Sequence, residues 1–149
     1  MRIGMFTASQ WGADEGPKTV LASLRQQVRT ARDNGFSSLL LGQHVVSGPM
    51  GMFQTIPLMG QLADDAAGMQ IGPGVLLLSM MNPILAAEEA ATIDWLCDGN
   101  YVLAAGLGYR EEEFQAMGVD IGNRVGRLTE GLELIKRLWT EDVVNHEGR

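Results

Sequence analysis

Only one cysteine, Cys97, occurs among the 149 residues, so no internal disulfide can form. No run approaches the ~20 apolar residues of a membrane-spanning helix. The longest, "VLLLSMM", has the length of a strand. The opening "MRIGMFTASQWG" lacks the apolar core of a secretory signal, which makes the cytoplasm the expected location and a membrane an unexpected partner. Basic residues are scarce too, 11 against 18 acidic ones, for a formal net charge of −7. Such a surface repels a phosphate backbone, and no basic stripe interleaved with aromatics offsets it, so nucleic acid is not an expected partner. HExxH, P-loop, GxSxG and CxxC spacings are all missing, which removes the common metal, nucleotide and nucleophile templates and leaves no expected metal site.

What is present is an ordinary globular composition, 46% apolar and 19% charged, of a size that fits a single domain over residues 1–149. Strand-like runs at "RIGMFT" (2–7), "SSLLLGQH" (37–44), "MQIGPGVLLL" (69–78) and "NYVLAAG" (100–106) alternate with helical patterns. The first helix is expected from Pro17 to before Gly35, with Val20, Leu21, Leu24, Val28 and Ala31 on one face. A second is expected to start at Thr55 as N-cap and to end at Gly68, burying Leu58, Met59, Leu62 and Ala66. The third has Asn82 as N-cap, Pro83 in the first turn and Gly99 past its end, with Ala86, Ala87, Ala90, Ile93, Leu96 and Cys97 inward. A fourth covers 123–139, where Val125, Leu128, Leu132, Ile135 and Leu138 recur at helical spacing.

Strand starts at 2, 37, 69 and 100 lie 35, 32 and 31 residues apart. Continuous apolar strands suggest a parallel sheet buried on both faces. Eight such units make a barrel of roughly 250 residues, so the expected fold is α/β, the N-terminal half of a (β/α)8 TIM barrel with four βα units. An open doubly wound sheet is the alternative, but "TASQWGADEGP" is not a GxGxxG loop.

A barrel builds its site at the C-terminal ends of its strands. His44 falls at the end of the second strand, where imidazole can act as general acid or base, or can simply be hydrogen-bonded at a loop entry. "GLGY" (106–109) can bring backbone close to a ligand or can be a plain turn. Glu111, Glu112 and Glu113 look like an acid–base or metal cluster, yet acidic residues also favour a helix start, and a solvated helix start is the expectation. Cys97 is expected to pack, and His146 is given no role.

The order Pro83, "AAEEAATID", "GNYVLAAGLGY", "EEEFQAMGV" and "RVGRLTEGLELIKRLWTEDVV" resembles the luciferase-like flavin-dependent monooxygenases almost end to end. The resemblance implies a barrel that holds reduced FMN, or a deazaflavin coenzyme in one branch, at its C-terminal mouth and acts on a small-molecule substrate. The reduced flavin would be bound or supplied by a partner flavin reductase. His44 matches the family's histidine beside the reactive flavin edge, and Gly74–Val75 matches a non-prolyl cis peptide against which the ring packs. Gly106, Leu107 and Gly108 would form the neighbouring wall. Arg124 and Arg127 are candidate phosphate partners, or solvated helix charges. Three positions depart from the pattern: Asn82 stands where several relatives have histidine, Asn100 where arginine is usual, and Leu107 where some luciferases place a basic residue.

The implied activity is monooxygenation with reduced flavin and dioxygen. Alternatives are deazaflavin-dependent hydride transfer and a non-catalytic flavin-binding partner subunit. Relatives continue past "VVNHEGR" toward a fifth strand, so the expectation is a fragment that self-associates as a homo-oligomer and has little turnover alone. The terminal Arg149 would suit a trypsin-like cut as well as chance.

Overall fold

The computed structural model describes residues 1–148, and the expectation for Arg149 lies outside them. The elements run β1 (Gly4–Thr7), β2 (Gln10–Trp11), α1 (Pro17–Asp33), β3 (Ser38–Leu41), β4 (Gly51–Met52), α2 (Thr55–Leu62), β5 (Gln70–Pro73), α3 (Pro83–Leu96), α4 (Glu111–Ala116) and α5 (Arg124–Thr140), with single 3-10 turns at Leu78–Met80 and Ile121–Asn123. β1, β3 and β5 form a parallel sheet in that order, with Phe6 level with Leu40 and Leu40 with Gly72.

The expected fourth strand is not a continuous ladder. It touches the sheet through two parallel bridges, Ile71 to Tyr101 and Leu76 to Ala105. Hydrogen bonds hold both ends, Val102 N–H to the Ile71 carbonyl at 2.9 Å and Gly106 N–H to the Leu76 carbonyl at 2.8 Å. Between them Gly72 lies so close to the Val102 carbonyl that a Cβ could not fit. The Gly74–Val75 peptide is cis, at the position the family register implies, and Gly48–Pro49 is also cis. The short antiparallel pair β2–β4, with Trp11 packed over Gly51 and tilted against Phe53, has no counterpart among the expected strands.

The helices form where the punctuation indicates. Asn82 Oδ1 accepts from Ile84 N–H at 2.9 Å, capping α3 behind Pro83. Gly35 and Gly99, just beyond α1 and α3, take the left-handed conformation that ends helices. Thr55, however, is the first residue of α2 rather than its cap, and its hydroxyl instead donates to the Gly42 carbonyl at 2.9 Å, tying the helix to the end of β3. That helix stops at Leu62, with turns carrying Ala66 into the core before Gly68.

Two inward faces differ from expectation. On α5, Leu134 and Ile135 are buried while Val125 and Leu132 are exposed, and buried Gly131 packs on Leu78 and Pro83 on the same side. On α3, Leu96 and Trp95 are exposed and Cys97 is only half-buried; this helix is apolar on more than one side, and periodicity alone does not choose between them.

The main core lies between the sheet and α1–α3, where Val28, Leu39, Leu41, Met59, Leu62 and Ile71 are fully enclosed. Helices cover only this face. The opposite face leaves Phe6 62% and Val75 38% exposed, so the expectation of strands buried on both sides fails for the face with no covering layer. Among the described residues no helix is long and apolar enough to cross a membrane.

α1 is also clamped to the turn after α2. Arg25 Nε and Arg29 Nη1 hold the two carboxylate oxygens of buried Asp65 at 2.6 and 2.8 Å, and Arg32 donates to its backbone carbonyl at 3.2 Å. Burial pushes the Asp65 carboxyl up, but the hydrogen bonds from Arg25 and Arg29 outweigh it and hold the group below its ordinary value. A carboxyl depressed on folding adds stability above its unfolded pKa and loses it as pH falls through the folded one. Wild type is therefore expected to lose stability below about pH 4, and Asp65→Asn, weaker at neutral pH, to lose less over that range. Melting temperatures at stepped pH check this, and parallel acid limbs would contradict it.

Candidate active site

The C-terminal ends of β1, β3, β5 and the 100–106 segment meet around a cavity of about 320 Å³. Its wall includes Phe6, Gln43, His44, Val75, Leu77 and Tyr109, with Gly42, Gly74 and Gly108 between them. The structure thus brings together His44, Gly74, Val75 and Gly108. Gly106 lies directly behind, packed so tightly on Val75 that a side chain there would collide with it. Gly108, in the left-handed conformation, lets the chain pass over Met80 and Phe114 and delivers Tyr109 beside the imidazole, edge to face at a ring separation of 6.3 Å.

His44 Nδ1 lies 2.8 Å from Glu113 Oε1, and that oxygen also accepts from Val45 N–H at 3.1 Å. Arg110 Nη1 stands 3.6 Å from it. Glu113 is 1% exposed, whereas Glu111 and Glu112 are exposed as expected. Glu113 departs from the expected solvated helix start. In the six-residue α4, buried Phe114 sets the inward side and carries its neighbour in with it. The available signal was that adjacency, which marks Glu113 as the one glutamate next to an apolar anchor.

A buried carboxylate needs compensating donors, and here they converge on one oxygen; among the described residues Oε2 makes no hydrogen bond. A carboxylate only accepts, so the shared proton sits on Nδ1, and a neutral ring then keeps its lone pair on Nε2. Gln54 Nε2 further anchors the loop by donating to the His44 carbonyl at 3.1 Å. This is the arrangement of a base oriented by a third group.

The remaining expected site residues sit elsewhere. The Leu107 carbonyl accepts from the Ser79 hydroxyl at 2.5 Å, and the residue does not line the His44 cavity. Arg124 and Arg127, read as candidate phosphate partners or solvated helix charges, each donate to backbone. Arg124 Nη1 donates to the Ile121 carbonyl at 2.8 Å, and Arg127 Nε to the Ser79 carbonyl at 2.6 Å. Arg127 borders a separate cavity near Asn82 and the His146–Glu130 pair. Cys97 donates weakly to the Asp94 carbonyl, and burial pushes its thiol up, away from reactivity. No cluster that could hold a metal occurs among the described residues.

The profile of one family, described as luciferase-like monooxygenase, matches residues 1–149. F420-dependent glucose-6-phosphate dehydrogenase of Segniliparus rotundus is 32% identical over 127 residues, covering 79% of this chain and 37% of that protein. Limonene 1,2-monooxygenase of Rhodococcus erythropolis is 24% identical over 145 residues, 97% of this chain and 38% of the relative. Among solved structures, the oxygenating constituent of 3,6-diketocamphane monooxygenase from Pseudomonas putida, in complex with FMN, superposes with a TM-score of 0.89 at 18% identity over 100% of this chain and 42% of that one. An F420-dependent secondary alcohol dehydrogenase superposes at 0.80 with 21% identity, over 99% and 44%. The chain spans less than half the length of these relatives. At such low identity the superpositions speak for the shared α/β fold alone, but the family match runs from the first residue to the last, and the chain belongs to the luciferase-like monooxygenase family.

Proposed function

We propose that this chain forms the first four βα units of an eight-unit barrel oxidoreductase whose flavin-type cofactor lies in the His44 cavity, and that its chemistry is hydride transfer between a deazaflavin and a small hydroxyl-bearing or carbonyl-bearing substrate. The observation that carries this reading is the His44–Glu113 pair. When bound, the cofactor supplies the hydride chemistry that side chains lack. The chain's own part is the proton. With Nδ1–H held by Glu113, Nε2 of His44 takes the proton of a substrate hydroxyl, or returns it to a developing alkoxide.

The wall suits a flat ring. Phe6 and Val75 present apolar surface with nothing over it, and Gly74, Gly106 and Gly108 keep side chains off the strand ends. The F420-dependent relative supports the choice of deazaflavin. A second reading, monooxygenation with reduced FMN from a partner reductase, is supported by the relatives named monooxygenases and by the FMN complex of the superposed structure. A buried partner for His44 argues against a non-catalytic subunit.

The test offers small alcohols with oxidised deazaflavin in the absence of dioxygen. The proposal expects the cofactor to be reduced and a carbonyl product to appear. Dioxygen-dependent product formation with reduced FMN, and none with deazaflavin, would select the second reading.

The half-barrel part rests on the sheet. Its covered face meets three helices, its other face is open, and the strands lie in parallel order, with the 100–106 segment bridged to the β5 side. The chain exposes 8733 Å², where a folded monomer of this mass exposes about 7,400 Å². The excess, roughly 1,300 Å², is larger than the ~800 Å² each partner contributes to a standard interface. By itself the chain is expected to sediment as a homo-oligomer and to turn over slowly because the barrel's phosphate-binding loops come from later strands. A stable, fully active monomer would contradict this.

A further inference from the structure

Gln43 ends the run that begins with β3, adjoins His44 and lines the same cavity. Its Oε1 accepts from Leu77 N–H at 2.6 Å, two residues beyond Val75. That bond decides the rotation of the amide. The oxygen is committed to Leu77, so Nε2 and its two protons face away from it, and Nε2 makes no hydrogen bond among the described residues. Free donors beside Phe6, Val75 and Leu77 lose water when a ligand covers them, and they must then be matched by acceptors on that ligand. The tether also keeps the amide level with the strand end rather than letting it swing with the loop.

We propose that Gln43 is a positioning and specificity residue for the cofactor ring: its Nε2 donates to a carbonyl oxygen of the ring's pyrimidinedione edge, a feature flavin and deazaflavin share. The assignment rests on the cofactor reading above. It differs from a purely structural brace in what Gln43→Glu does. Glutamate still offers an oxygen to Leu77 N–H, so the brace survives, but the donor becomes an acceptor facing a carbonyl.

The experiment measures binding of riboflavin and deazariboflavin to the full chain in its associated form, by fluorescence, alongside thermal melting. Gln43→Glu is expected to melt like wild type and to bind whichever ring wild type prefers about tenfold or more weakly, as loss of a buried donor opposite an acceptor implies. Unchanged affinity would overturn the assignment and leave the cofactor reading standing. Should the variant melt lower, wild type alone decides: replacing the ring carbonyl oxygens one at a time by sulfur, a poor acceptor, weakens binding at one of the two positions, and equal affinity for both analogues and the parent overturns the assignment. A wild-type chain that binds neither ring contradicts the cofactor reading itself, and the Gln43 assignment with it.

Discussion

Replacing His44 with alanine is expected to lower turnover by about 10² to 10⁴, the range that a positioned acid–base group contributes, while cofactor affinity changes far less. The asymmetry follows from the site. The ring's proposed contacts are the glycine-lined strand ends and Phe6, which the substitution leaves in place, whereas the lone pair on Nε2 disappears. Glu113→Gln is the companion variant. The amide oxygen can still accept from Nδ1–H, so geometry is largely kept, but the charge that favours an imidazolium is gone, and a smaller loss of turnover is expected. Steady-state rates and cofactor titrations on the three proteins separate the outcomes. Equal loss of binding and turnover in His44→Ala would make His44 a positioning residue, and an unchanged rate would remove it from the chemistry.

The second large effect is on stability. Phe114 is fully buried among Leu77, Met80, Val119 and Ile121, and its ring also packs under Gly108. Truncation to alanine removes the largest fully enclosed side chain among the described residues and leaves a cavity that a six-residue helix and a 3-10 turn cannot easily close. Phe-to-Ala changes of this kind cost about 3–5 kcal/mol, a large share of the ~5–15 kcal/mol that holds a domain together. Urea unfolding followed by circular dichroism measures it. Because α4 carries Glu113, the same variant should also loosen His44. A loss below about 1 kcal/mol, the level of an average substitution, would mean that α4 is not anchored by Phe114.

The layout of the fold was legible because punctuation and periodicity agree. Asn82–Pro83 and Gly99 bracket α3 as read, and the apolar stripe of α1 is the stripe that is buried. What periodicity cannot express is which of two apolar stripes faces the core. Leu96 and Leu132 were therefore placed inside and lie outside, while Leu134 was missed. The fourth strand read as one run, but the close approach of Gly72 to Val102 is a three-dimensional relation with no local signature.

The site divides along the same line. His44 lines the cavity as its place at a strand end suggests, and the Gly74–Val75 peptide is cis as the family resemblance implies. Glu113 was legible only through its adjacency to Phe114, since first-turn acids otherwise look alike in sequence whether solvent or a histidine meets them. Arg127 illustrates the converse, as a guanidinium that looks free on a helix is bound to the Ser79 and Met81 carbonyls of another segment.

The central claim, that this chain supplies the His44 side of a flavin-type cofactor site in a barrel, is tested most directly by titrating the assembled protein with reduced FMN, deazaflavin coenzyme and NAD in turn and following absorbance. Saturable binding of one of the first two, weakened by bulk introduced at Gly74 beside Phe6 and absent for NAD, is the predicted result. Binding of neither flavin nor deazaflavin, or binding unaffected by that change, would contradict it.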